Sequence, residues 1–163
     1  MTRTPDPTPP ASPVAALVVR RRIEAPPEKL FAAWTDPAQL RLWWGPKGVV
    51  CTDAQVDLRP GGGYKIANRM PDGTLLLIYG VFEVIEAPAR LIYSWQLEGR
   101  AVPAERVTVE FVRRGDATDV VVTHELIAAA AARAGHERGW HGCLDGLVRH
   151  AEMRANVGLK SAS

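Results

Sequence analysis

Two common staples of small domains are all but missing from this chain of 163 residues. Its only cysteines, Cys51 and Cys143, stand far apart and show no metal-ligand spacing. A disulfide framework is therefore not expected, and both read as reduced, small apolar residues. Charge of one sign is lacking too. Twenty basic against eighteen acidic side chains leave a formal +2, too little and too scattered to call for a nucleic acid or an anionic membrane surface. The one dense basic spot, Arg20-Arg21-Arg22, is divided between two faces by strand alternation and reads as a solvated or edge-protecting feature. No run of about 18 apolar residues exists, so no helical membrane insertion is expected. Residues 1–13 lack the apolar core of a signal peptide and carry five prolines, which makes them a disordered tail. Cytoplasmic is the compartment these absences leave.

Apolar content, by contrast, is high at 47%, enough at this length for one core and one domain. That domain is expected over 14–157, with 158–163 as a disordered end. Its clearest element is a long C-terminal helix that begins in the alanine run at 128–132. At roughly 100° per residue, Trp140, Cys143, Leu144, Leu147, Val148 and Ala151 form one apolar stripe, and Arg138, Asp145, Arg149 and Glu152 gather opposite. Such a helix must dock. Along its flank runs a line of glycines, Gly135, Gly139, Gly142 and Gly146, each costing about 1 kcal/mol relative to Ala. Close approach of another backbone offsets that cost, or volume left beside the helix for a ligand. A locally weak helix start is the plainer reading.

Upstream, residues 14–23 read as a first strand. Pro26-Pro27-Glu28 fits a helix start with Leu30, Phe31 and Trp34 on its apolar face. Asp36-Pro37 then opens a second short helix anchored by Leu40, Trp43 and Trp44. From residue 49 to about 126 the pattern changes to strands separated by turns at 59–63, 71–73, 86–88 and 115–116. Connections this short force antiparallel pairing. The expected class is α+β: a curved antiparallel sheet of about six to seven strands wrapped around the long C-terminal helix, with two short helices after the first strand.

This order, together with Ala25-Pro26-Pro27, Trp34-Thr35-Asp36-Pro37, Trp43-Trp44-Gly45-Pro46, Asp57-Leu58-Arg59-Pro60-Gly61-Gly62, Asp72-Gly73 and Gly139-Trp140, resembles the AHSA-like family. That family is named for an activator of a heat-shock-protein ATPase and belongs to the START-like, SRPBCC superfamily. The likeness covers roughly residues 17 to 155. It implies a helix-grip fold with a cavity between the concave sheet and the long helix, used across the superfamily for apolar molecules. Fold alone names no substrate.

Catalytic and metal motifs fail on inspection. His136-Glu137 with His141 differs from the zincin pattern, because at i, i+5 the imidazoles lie about 140° apart on a helix. Gly61-Gly62-Gly63 precedes a strand, not the helix a phosphate cradle needs. No catalytic residue, metal ligand or cofactor is expected. Binding is more legible. Tyr64 and Ile66 on one strand, and Tyr93 and Trp95 on another, alternate onto a face where their polar tips become handles in an apolar pocket, or are satisfied locally in an ordinary core. His124 shares a face with Val120 and Val122 and reads as a rim group or a structural histidine. With Trp44 and Trp140, and with Gly142, Leu144 and Gly146 on the long helix, these make the expected ligand-binding set.

The leading expectation is binding of a small apolar or aromatic molecule between sheet and helix, in a carrier, sequestration or resistance role. A co-chaperone-type interaction module and a cyclase- or hydrolase-type enzyme are the alternatives. An open apolar cavity favours the first, a sealed interior the second, and a pocket with two polar groups of perturbed pKa the third. The partner is then a small molecule and not a nucleic acid, and a homodimer stays open.

Overall fold

The computed structural model describes residues 15–100 and 103–161, with side chains described as far as 157. The expected tail at 1–13 lies outside the described residues. Strand β1 (Leu17–Ile23) is followed by helices α1 (Pro27–Thr35) and α2 (Pro37–Trp43). Six strands then run in meander: β2 (Val50–Val56), β3 (Gly63–Arg69), β4 (Leu75–Glu86), β5 (Arg90–Leu97), β6 (Glu105–Arg114) and β7 (Ala117–Glu125). Helix α3 (Ala130–Ser161) closes the chain. It continues past residue 157, so the end expected to be disordered from 158 is helical through 161. No helix among the described residues is long and apolar enough to cross a membrane.

All seven strands form one antiparallel sheet in the order β1-β7-β6-β5-β4-β3-β2. The sheet curls into a half-barrel around α3, the helix-grip arrangement expected from the sequence. Register shifts between Cys51 and Asp53 and between Phe82 and Val84 mark bulges, which bend a strand and increase its twist. β1 is an edge. Its arginines divide as alternation requires: Arg20 and Arg22 are exposed, while Arg21 reaches α3 and pairs with Asp145.

Period-2 alternation fills the concave face with Val107, Val109, Val120, Val122, Leu91 and Tyr93, all buried. Against them α3 places Trp140, Cys143, Leu144 and Leu147, the expected stripe, while Arg149 and Glu152 stay in water. Each fully buried Leu of this kind contributes about 1.5–3 kcal/mol. Helices α1 and α2 cover the rest with a tryptophan cluster. Trp34 lies 5.1 Å from Trp43, 6.0 Å from Trp44 and 6.0 Å from Trp140, the last stacked at 19°. Asp36 caps α2 by accepting from the Ala38 N–H at 3.0 Å, as Asp36-Pro37 foretold.

Candidate functional site

At one end of the sheet, where it faces the first turns of α3, the apolar lining gives way to polar groups. Glu105 opens β6 opposite Trp95 of β5, and His124 lies on β7 opposite Val107 and Leu17. His136 reaches in from α3, its Nε2 at 2.9 and 3.2 Å from the two Glu105 carboxylate oxygens. The imidazoles of His124 and His136 stack at 4.3 Å. Trp95 stands edge-on to both, at 5.3 and 4.7 Å. Behind His124, the Trp140 indole N–H donates to its Nδ1 at 3.0 Å.

That last bond determines the chemistry of the cluster. An indole N–H can only donate, so His124 Nδ1 keeps its lone pair and the proton of the neutral ring sits on Nε2. Nε2 is 3.4 Å from Glu105 Oε1, a long contact, and among the described residues this fully buried donor has no closer partner. Burial pushes the His124 pKa below its ordinary value; the charge of His136 adds to this, and Glu105 opposes it. A second proton would also have to displace the indole. Glu105 behaves differently. Desolvation alone would raise its pKa, but the pull of His124 and His136 outweighs that and holds it down to about 2.

The donor atoms of Glu105, His124 and His136 lie within 4.8 Å of one another, close enough to suggest a cation site. His124 does not fit one. A metal needs the Nε2 lone pair, and the bond from Trp140 has put the proton there. Hydrogen bonding, not coordination, is what this group offers.

Cavities surround it. One of about 120 Å³ is lined by Trp44, Asn68, Ile78, Trp95, His124, Gly135, His136, Gly139 and Trp140. A second, of about 160 Å³, lies on the other side of Trp95 and His136 and is bounded by Glu105, Arg100, Leu126 and Ala132. Asn68 Oδ1, on β3, is the other buried polar side-chain atom without a partner among the described residues, and Asn68 lines the same space as His124. Larger depressions elsewhere, such as one of about 670 Å³ beside Asp57, Lys65 and Glu98, open broadly to solvent and hold neither of these atoms.

The middle of the grip is different from the expectation. Among Trp34, Trp44, Tyr64, Ile66, Phe82 and Tyr93 only about 20 Å³ is free, about enough for one water. The tyrosine handles are already used: Tyr64 Oη donates to the Ser94 carbonyl at 2.7 Å, and Tyr93 Oη accepts from the Trp34 indole at 3.3 Å. Leu144 is wholly buried in the core. Gly142 and Gly146 admit backbone and not ligand: a Cβ at Gly142 would stand 2.4 Å from Pro46 Cβ, and one at Gly146 would stand 2.5 Å from the Trp43 carbonyl. At Gly139 a Cβ would meet nothing within 4 Å. The open glycines of the line are thus Gly135 and Gly139, which flank the 120 Å³ cavity.

Of the expected set, Trp44, Trp95, His124 and Trp140 meet at this end of the sheet; Tyr64, Ile66 and Tyr93 line the packed middle. Three participants were not read as site residues from the sequence: Asn68, Glu105 and His136. Asn68 continues the alternation Tyr64, Ile66, and Glu105 that of Val107, Val109, so each is a polar residue ending an apolar strand face, the pattern that drew notice to His124. His136 was considered only with His141, while its partner stands 31 positions away.

A sequence model of the family described as activator of Hsp90 ATPase homolog 1-like protein matches residues 24–152. No curated protein matches the chain significantly. Among solved structures, a protein from Chromobacterium violaceum is similar with a TM-score of 0.78 at 25% identity, over 84% of this chain and 96% of that one. An AHSA1-like protein from Aeromonas hydrophila gives 0.73 at 26% identity, over 86% and 94%. The AHSA1 protein from Silicibacter pomeroyi, at 22% identity, shares the fold with a TM-score of 0.78 over 86% and 99%.

Proposed function

The chain belongs to the activator of Hsp90 ATPase homolog 1-like family, and from that premise we propose that it binds a small aromatic molecule between the sheet and the first turns of α3. One observation carries this reading: two buried polar atoms, Asn68 Oδ1 and His124 Nε2, have no hydrogen-bond partner among the described residues, and both residues line one cavity walled by Trp44, Trp95 and Trp140. A buried polar group left unpaired costs about 1–3 kcal/mol, and native structures leave few of them. A ligand that accepts from the His124 N–H or donates to the Asn68 carbonyl removes that cost. The space, about 120 Å³ and partly open to solvent, has room for about one ring. A molecule longer than one ring extends past Trp95 and His136, which line both cavities.

Native mass spectrometry of freshly purified protein tests the reading, with Gly139→Leu as the control that fills the space from the open side of α3. A small molecule should accompany the native chain and be absent from a folded Gly139→Leu variant. If both are empty and both take up an apolar dye equally, the cavity is an internal water site.

A second reading, docking to an ATPase partner as the family description suggests, has its own observation. Leu42 and Met153 are 74% and 67% exposed beside an open groove between α1, α2 and the end of α3. Leu42→Asp with Met153→Asp should abolish any stimulation of a heat-shock ATPase by this chain; unchanged stimulation rejects that face.

A further inference from the structure

Resting on the binding site proposed above, we infer that His136 is a general base that removes a proton from carbon in the bound molecule, with His124 Nε2–H as the hydrogen-bond donor to the oxygen that gains charge. The substrate class is a small aryl ketone or a comparable carbon acid next to a carbonyl.

The argument starts from the two tautomers. Glu105 accepts through both carboxylate oxygens from His136 Nε2, so that nitrogen carries the proton and Nδ1 keeps a free lone pair. No protein group among the described residues bonds Nδ1. His136 lines both cavities, and its side chain is 16% exposed, so the base is reachable without being bathed in water. A carboxylate that holds one ring nitrogen also stabilises the imidazolium formed when the other takes a proton. Glu105 is thus a positioning residue.

His124 supplies the other half. Trp140 fixes its proton on Nε2, the ring stacks on His136 at 4.3 Å, and both residues line one cavity. The two histidines have opposite roles because their partners differ. A donor-only indole makes one an N–H, and an acceptor-only carboxylate makes the other a base.

The step balances without a co-reactant. The α C–H bond breaks, its electron pair stays with the ligand as an enolate, and the proton passes to His136 Nδ1. The enolate oxygen accepts from His124 Nε2–H. Return of a proton to the same carbon gives exchange, and return to a conjugated carbon gives isomerisation.

Acetophenone is the probe. Its binding is followed by the shifts of the Trp95 and Trp140 indole resonances, and its methyl exchange in D₂O by proton NMR. Native protein should shift both indoles and exchange the methyl group about a hundredfold or more faster than buffer with equimolar imidazole. His136→Gln should still bind the ketone and lose the acceleration. Glu105→Gln should keep part of it, with the pH profile displaced; the charged and titratable groups that face His136 are Glu105, His124 and Arg100. Should His136→Gln fail to fold, Glu105→Gln and the native profile carry the test. Shifted indoles with exchange no faster than the imidazole control overturn the base and leave the binding site standing. Unshifted indoles overturn both.

Discussion

Gly139 and Gly146 lie on one helix about two turns apart, and they do opposite things. At Gly146 the Trp43 carbonyl comes so close that a methyl group would stand 2.5 Å from it; at Gly139 a methyl would meet nothing. The difference divides the grip into two halves. Over the C-terminal half of the stripe, α3 seats directly on the backbone that leaves α2. Over its first turns the glycines leave a gap, and the sheet answers with Glu105, His124 and Asn68. A packed half holds the helix in place, so an unpacked half can keep a cavity.

The packed half should be the more fragile. Leu147→Ala, at a fully buried position in the stripe, is expected to cost about 2–5 kcal/mol by urea unfolding, whereas exposed Arg149→Ala should stay within about 0.5 kcal/mol. Similar values would mean that α3 docks on another face.

In the polar half, Glu105→Gln should cost up to about 3 kcal/mol at pH 7, the order of magnitude set by a carboxyl held at about 2 against its ordinary value of 4.5. The sign follows from the depressed pKa. The contribution is fully present above the unfolded value near 4.5 and is lost as pH falls through about 2. Native and variant unfolding midpoints should therefore converge on acidification between those values. A constant gap would assign the loss to packing.

Next in size come the glycines. Gly142→Ala and Gly146→Ala push a methyl into Pro46 and the Trp43 carbonyl, and should each destabilise by about 1–3 kcal/mol. Gly139→Ala should do the reverse, gaining up to about 1 kcal/mol of helix propensity in open space. Opposite signs along one helix would sharpen the division; a loss at Gly139 would erase it.

The smallest effect is spectroscopic. Nitrogen-15 shifts of the His124 ring at neutral pH should report a neutral imidazole protonated at Nε2, with no stability change involved. A proton on Nδ1 would mean that Trp140 does not donate there, and would reopen the metal reading of Glu105, His124 and His136.

Much of this was legible in the chain because it depends on local periodicity. The stripe from Trp140 to Ala151, the cap at Asp36 and the alternation that buries Val120 and Val122 each follow from 3.6 or 2 residues per repeat and need no distant partner. The glycine line was visible as well, and so was close approach of another backbone as one way to offset its cost. Which glycines meet a backbone was not, because that depends on where Pro46 and Trp43, about a hundred positions earlier, come to rest against the helix. Likewise Glu105 and His136 are unremarkable polar residues in sequence. They become a pair only when β6 and α3 are packed across the sheet, and His124 becomes a fixed donor only because Trp140 presents an indole behind it. Periodicity sets which faces are apolar, and that much one strand or helix carries alone. The protonation state of a buried ring is set by what touches it on both sides, and only the packed tertiary structure brings those neighbours together.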